Sequence, residues 1–552
     1  MSVNIYDKVT GELIQIAGNG GGSIDDINVS NKTTYSSDKI VKEIESKIDV
    51  KDDIFSTYNA IYYGLKKGEE GKTTNTDALN NLIIKIRDLG GGTIFIPKGE
   101  YYFNKPIVWK SNVSLRGEGI DVTVLKSFGG TAENHVKGYP LIEAFKADTI
   151  ANTPKTNNCR FSDFTIDGSE LHVDPCVEAK GIFIIRMENC VWRDIKIKGT
   201  GSTGFGCDFL GNSVIDHIIC EDCGRSGYYV GCAGIGIGTK GIETENLIIT
   251  NCITKGCYNY GIFIETQELF KDKNELKDFE KRGVIISNCI SHDCVKSGFG
   301  IKGGYDISLN NCISYNNKYG IELGLDLNNI QINDCLVQEN LSHGIYLKDL
   351  YKWKNGDVFN GSAGTIDGVG IYDCTVFKNG GDGINIFEKE EGITVGSGNI
   401  TMNIKIEGCD INKNSGRGLV FNNRSSATEI KSYTNVSVKN NNIIANGLEG
   451  FLTNAVLVSG SFQGNYLNKN NTTGTESTNN ILIDCDLANF DIIFNRVCDS
   501  KSQKTCSYGI GVKTGHTFTD SIIKYNILVG NKTGEIVTNN VTKAGYTEIQ
   551  VS

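Results

Sequence analysis

The stretch Asn288-Cys-Ile-Ser-His-Asp-Cys-Val-Lys-Ser-Gly-Phe-Gly-Ile-Lys302 is answered by Asn311-Cys-Ile-Ser-Tyr-Asn-Asn-Lys-Tyr-Gly-Ile-Glu322, and again by Asp334-Cys-Leu-Val-Gln-Glu-Asn-Leu-Ser-His-Gly-Ile-Tyr-Leu-Lys348. Each copy has a short polar residue, a cysteine, and a glycine some nine residues further on. The same frame holds from Asn251-Cys252 to Gly261, Asp373-Cys374 to Gly383 and Gly408-Cys409 to Gly418. With isoleucine in place of cysteine it extends upstream, from Asp194-Ile195 to Gly204 and from His217-Ile218 to Gly227. Cys252, Cys289, Cys312, Cys335, Cys374 and Cys409 stand 37, 23, 23, 39 and 35 residues apart. A 23-residue unit with longer copies is the pattern of a solenoid whose extra residues are extruded as loops. The insertions fall at Thr266 to Arg282, Asp349 to Gly368 and Glu388 to Met402.

Within a copy the apolar residues alternate, as in Gly261-Ile-Phe-Ile-Glu265 and Gly344-Ile-Tyr-Leu-Lys348. Runs this short, punctuated by Asn, Gly and Asp, predict strands. Three strands make a coil: one after the glycine, one before the Asn and one after it. The polar residue at the tight corner suits a left-handed backbone conformation. The cysteine beside it then faces inward, as a small apolar member of an internal stack.

Eighteen cysteines in 552 residues do not make a disulfide framework, which belongs to small secreted domains without a core. Cys220 and Cys223 alone share a two-residue gap, with no second pair or histidine at zinc spacing, so no metal site is expected. Cys257 and Cys294 occupy equivalent corners and could pair if oxidised; free thiols are expected. Composition agrees with an all-β solenoid, with 66 Gly and only 5 Pro. A net charge of −10 argues against a nucleic-acid partner. No apolar run approaches the roughly 20 residues of a membrane span. The start, Met1-Ser-Val-Asn-Ile-Tyr-Asp-Lys8, lacks the layout of a secretory signal, so folding in the cytoplasm is expected.

Residues 1–22 form a strand-like opening, Val3 to Ile16, closed by Gly18-Asn-Gly-Gly-Gly22. Over 23–55 a helical linker is predicted, because Ser37-Asp38 precedes Ile40, Val41, Ile44 and Ile48 at helical spacing. That stripe serves either a parallel helical trimer or packing on the next domain. A second helix is predicted from Thr76-Asp77 to Leu89, stopped by Gly90-Gly-Gly92. Then come Thr93-Ile-Phe-Ile-Pro-Lys-Gly-Glu-Tyr-Tyr-Phe103 and Val113-Ser-Leu-Arg-Gly-Glu-Gly119.

Those three elements, in that order, resemble the opening coils of the pectate-lyase-like right-handed parallel β-helix proteins found as bacteriophage tailspikes. Residues about 56–130 carry the resemblance by motif and the rest by coil pattern. One departure is Gly64-Leu-Lys-Lys-Gly-Glu-Glu-Gly71, where the family has Gly-Ala-x-Gly-Asp-Gly. Ser23 to Ile40 also resembles a phrase near the N-termini of phage tail fibre and receptor-binding proteins. The resemblance implies an all-β right-handed parallel β-helix over 111–552, a capping segment over 56–110 and a small N-terminal attachment segment. It further implies a homotrimer in the virion, with residues 1–55 joining a phage tail or baseplate protein.

Positions 3 and 5 of the strand after each glycine point outward and stack into one exposed face. They include Tyr229, Phe263, Glu265, Lys302, Glu322, Tyr346 and Lys348, a mixture suited to a carbohydrate groove. Insertions flank this face, and Trp353 in one of them either closes over a sugar or anchors its loop. Glycoside hydrolysis uses two carboxylates, about 5 Å apart for retention or roughly 6.5–9.5 Å for inversion. Coils stack ~4.8 Å apart, so Glu265 and Glu322 start ~10 Å apart along the axis. Asp306 and Asp326, just after the same strand, are alternative members of the pair. Elimination instead needs a base and a neutraliser for an acidic sugar, which Lys302, Lys348 and Tyr346 could supply. The expected function is recognition and depolymerisation of a host surface polysaccharide, hydrolysis being favoured over elimination and no cofactor being required. The competing readings are a non-catalytic, lectin-like receptor-binding module and a bacterial pectate-lyase-like enzyme.

Overall fold

The computed structural model describes residues 2–6, 13–17, 26–29, 33–36 and, between 56 and 550, all but 145–153, 175–177, 226–231, 240–245, 267–282, 349–365, 389–399, 423–431, 476–477 and 539–540. The chain divides into two compact units, Met1–Tyr58 and Asn59–Ser552. In the first, Ser2–Tyr6 pairs antiparallel with Leu13–Ala17, and Asp26–Val29 with Thr33–Ser36. The segment 23–55 is therefore not helical over 26–29 and 33–36. Alternating Ile27, Val29, Thr33 and Tyr35 favour strands there. The helical stripe expected at 40–48 lies outside the described residues.

The second unit opens with the helix Asn75–Asp88, which buries Leu79, Leu82, Ile83 and Ile86 against the first coil. Gly91 ends it: its N–H closes onto the Ile86 carbonyl at 2.9 Å. The φ there is +125°, and a Cβ would meet the Asn112 carbonyl oxygen at 2.6 Å, so only glycine fits. Asn75 is fully buried and staples the unusual segment before the helix, exchanging hydrogen bonds of 2.8 Å with both the N–H and the carbonyl of Lys66.

Beyond the cap the chain winds as a right-handed parallel β-helix. Successive coils pair in parallel, with Ile253, Ile290, Ile313, Leu336, Thr375 and Asp410 stacked in one column. The spacing of the Asn-Cys motifs thus measures the coils directly. The corner residues adopt the left-handed conformation: φ lies between +51° and +56° at Asn251, Asn288, Asn311, Asp334 and Asp373, and is +71° at Gly408. Asp194 and His217 occupy the same corner upstream, at φ +54° and +52°, and contact each other at 2.6 Å.

All the described cysteines are free, and of these only Cys498 escapes full burial. Cys312 sits against the Asn310 and Ile286 carbonyls at 3.4 and 3.7 Å, and its equivalents repeat the arrangement. Towards the C-terminus the column changes chemistry. The Cys409 N–H donates to Asn441 Oδ1 at 2.9 Å, and Asn441, Asn465 and Asn495 then donate from one amide to the next at 2.9–3.0 Å. A second column makes the same exchange where the Cys294 N–H meets Asn317 Oδ1 at 2.8 Å. An amide both accepts and donates, so it closes a polar ladder; a thiol is a weak partner whose contribution is burial. The hydrogen bond to the preceding cysteine of the stack, with burial adding to it, pushes the Cys312 and Cys335 thiols up to about 12. A thiol reagent should accordingly label only a small minority of the eighteen cysteines in the native protein and all of them in denaturant. Rapid labelling of most thiols without denaturant would contradict the interior columns.

Candidate functional site

Three strands after the corner glycines, Tyr260–Thr266, Ser297–Asn310 and Tyr319–Asn333, lie side by side in consecutive coils. Their pleat sends two columns outward. One pairs Gly206, Gly236, Phe263, Gly300, Glu322, Tyr346 and Asn385 in register. The other pairs Asp208, Gly238, Glu265, Lys302, Gly324 and Lys348. Glycines thus alternate with functional side chains and leave them room. At Gly300 a Cβ would meet the Tyr260 ring at 2.7 Å and the Phe263 ring at 2.9 Å. Those two rings stack at a centroid distance of 4.2 Å, and Lys302 Nζ lies 5.0 and 4.9 Å from their centres. The ammonium faces negative ring faces, a favourable arrangement once desolvated.

Glu322 lies one coil further and is fully buried. Its carboxylate accepts from Ser297 Oγ at 2.5 Å and from the Tyr260 hydroxyl at 3.4 Å, and Lys296 Nζ stands 3.3 Å away. Lys296 also donates to the Tyr260 hydroxyl and lies 4.6 Å above its ring. A buried carboxylate matched by a cation and two hydroxyls is a stable ion-pair network, with its charge already balanced.

Glu265 is different. It is half-buried, and burial pushes its carboxyl up to about 7; Lys302 and Lys180 oppose the rise, and Asp208 adds to it. Asp208 stands two coils away in the same column, separated by Gly238, which has no side chain. Two coil steps put their strands about 10 Å apart. That spacing lies just above the roughly 6.5–9.5 Å separation of an inverting pair. The raised value also makes a stability statement. The folded state holds a proton on Glu265 between pH 4.5 and about 7 that the unfolded chain has released, so stability falls as pH rises through that window. Glu265→Gln should therefore be more stable than the parent at pH 8, by on the order of 2 kcal/mol after screening at a half-buried group, and no more stable at pH 4. Thermal midpoints at the two pH values check this.

The face expected from the sequence is present, but its members divide. Glu265 and Lys302 are register neighbours. Glu322 is two coils and one column away, buried and balanced, which suits it to holding Lys296 and Tyr260 in place. Phe263 points outward but is only 1% exposed, so it is no open platform for a sugar. Tyr346 is 3% exposed and stacks on Tyr319 at 4.9 Å. Asp306 is a correction. It sits at φ +53° on a corner beyond the bulge at Gly303–Gly304 and accepts from Asn329 Nδ2 at 2.7 Å, as a rung of a turn ladder. Asp326 falls opposite that bulge, and Lys348 pairs with Gly324; their side chains, like all of Tyr229 and Trp353, lie outside the described residues. Four groups were overlooked or undervalued: Asp208, Lys180, Lys296 and Tyr260. The column positions of Asp208 and Glu265 were legible, but the pairing of two acids across a glycine emerges only from the register. Among the described residues no group of His, Cys, Asp and Glu is gathered closely enough to hold a metal ion.

The profile of the family described as "rhamnogalacturonase A/epimerase, pectate lyase-like" matches residues 57–346, just over half of the 552. The chain belongs to this pectate-lyase-like family. The matched residues run from the cap through Glu265, Lys302 and Glu322. Among curated proteins, alginate lyase 7 of Azotobacter vinelandii is 27% identical over 209 residues, covering 31% of this chain and 23% of the lyase. The chain thus spans under a quarter of that relative's length. Among solved structures, the A-module of a mannuronan C-5 epimerase of A. vinelandii is 15% identical, with a TM-score of 0.40 over 88% of this chain and 99% of the module. A family 28 exopolygalacturonase of Yersinia enterocolitica is 11% identical, with a TM-score of 0.43 over 87% of this chain and 79% of the enzyme.

Proposed function

We propose that this pectate-lyase-like chain cleaves a cell-surface polysaccharide by inverting hydrolysis, with Glu265 as general acid and Asp208 as general base. The observation that carries the reading is the pair itself: a carboxyl held protonated up to about pH 7, set across side-chain-free Gly238 from a second carboxylate. Glu265 gives its proton to the glycosidic oxygen as the carbon–oxygen bond breaks. Asp208 takes a proton from the water that attacks the anomeric carbon from the opposite side. Lys302, held on the Tyr260–Phe263 stack, supplies positive charge to the substrate. Glu322 fixes Lys296 and Tyr260.

Elimination is the second reading. It is favoured by the lysines beside Glu265, which would neutralise a uronate carboxylate, and by the 27% identity to an alginate lyase. Incubation with alginate, polygalacturonate, rhamnogalacturonan and capsular polysaccharides separates the readings. Hydrolysis yields reducing ends without ultraviolet absorbance; elimination yields both. Binding without either would leave the lectin-like module.

The biological setting we propose is a phage tailspike: a homotrimer in the virion, joined to tail or baseplate protein through residues 1–55. Support comes from the separate compactness of Met1–Tyr58 and from the tail-fibre phrase at Ser23 to Ile40. The expected solution mass is three chains. A monomer at micromolar concentration would remove the trimer.

A further inference from the structure

The corner ladder changes residue type in the last of the described coils. From Asn288 to Gly464 the corner is Asn, Asp or Gly in every coil. The next two members are Phe494 and Tyr525, each two positions before a strand whose first residue, Arg496 or Ile527, continues the same column. Both keep the left-handed backbone, at φ +56° and +60°. A bulky aromatic is strained in that conformation, unlike the Asn and Gly it replaces. Burial does not offset the strain. Phe494 is 56% exposed and Tyr525 57%, and their rings stack on each other at a centroid distance of 5.3 Å. Lys524 Nζ lies 4.8 Å from the Tyr525 ring and pairs with Glu548 at 2.7 Å. On the other side of Phe494 the ladder offers only Gly464, which has no side chain. Just past Tyr525, Ile527 and Val529 point outward on their strand, each 55% exposed.

We propose that this aromatic corner is the face through which copies of the chain join, the patch of each copy meeting those of its neighbours around their shared axis. The inference rests on the homotrimer proposed above and gives it a location. At these exposures Phe494, Tyr525, Ile527 and Val529 present on the order of 400 Å² of contiguous apolar surface. That is about half of the roughly 800 Å² per partner in a stable interface, a share suited to its apolar core. Charge favours a second copy as the occupant. The chain carries −10 overall, so its copies repel in general. At the rim of this patch stand Arg496 and the balanced Lys524–Glu548 pair, which let acidic copies approach. Covering the two rings then supplies the burial that offsets their strained backbone.

Sedimentation equilibrium of the full chain compares the parent with two double variants, Phe494→Asn with Tyr525→Asn and Ile527→Thr with Val529→Thr. Asparagine is the ladder's own corner residue, so the first variant relieves the backbone while removing the rings. Threonine keeps the β-branched shape that suits a strand. Each variant is expected to raise the dissociation constant about a hundredfold or more, with far-ultraviolet circular dichroism unchanged. Single chains should then appear at micromolar concentrations where the parent holds three. Leu341→Asn, at a 76% exposed apolar residue of another corner, should leave the mass unchanged. Double variants that keep the parent's mass would overturn the face and leave the homotrimer reading intact; if they lost polysaccharide binding instead, the occupant would be a sugar. A parent that is a single chain at micromolar concentration would overturn both.

Discussion

Glu265→Gln is expected to lower kcat by roughly 10²–10⁴-fold with little change in KM. The amide keeps the shape and the hydrogen-bonding capacity of the side chain but has no proton to give, so the leaving oxygen departs unassisted. The pH profile should change in a directed way. A general acid works only when protonated, so parent activity should fall as pH rises through about 7, where the Glu265 carboxyl ionises. The residual activity of the variant should lack that limb. Asp208→Asn should abolish the opposite limb, at lower pH, because the base must be ionised. It should also shift any remaining Glu265 titration downwards, since the Asp208 charge helps to hold Glu265 protonated. A Glu265→Gln variant that cleaves normally and keeps the limb near pH 7 would assign the acid to another residue.

The largest expected effect on stability lies beside the reacting pair. Lys296→Met removes the cation 3.3 Å from the fully buried Glu322 carboxylate. Stranding one member of a buried pair costs about 3–5 kcal/mol. Unfolding midpoints in urea should show that loss for Lys296→Met and a smaller one for Glu322→Gln, which leaves the Lys296 ammonium without its carboxylate. The double variant Lys296→Met with Glu322→Gln should recover much of it, because both buried charges are gone. The non-additivity measures the coupling. Losses that simply add would mean that Lys296 and Glu322 act independently, against the network of Ser297, Tyr260, Lys296 and Glu322.

Much of the fold was legible because one corner constraint recurs. A left-handed position excludes most residue types, so Asn, Asp and Gly mark it in every coil, and the inward neighbour must be small. The distance between marks is the coil length, and from it the outward positions follow by alternation. The outward positions of Glu265 and Lys302 follow in this way. The errors have equally local causes. Asp306 belongs to a different left-handed ladder with Asn329, and a bulge at Gly303–Gly304 makes it look like a continuation of the site strand. Glu322 and Phe263 do point outward, but direction does not report burial, and Tyr260, Lys296 and Ser297 close around them. Tyr260 precedes its glycine and gives no sequence sign that its ring lies over the next coil's Gly300.

The most direct measurement is the anomeric configuration of the first product released from a cleaved polysaccharide, followed by proton magnetic resonance before mutarotation. The proposed Asp208–Glu265 pair, set across Gly238, predicts an inverted anomer, with cleavage strongly reduced in both Glu265→Gln and Asp208→Asn. A retained anomer would contradict the Asp208–Glu265 pair, and an unsaturated product would replace hydrolysis by elimination.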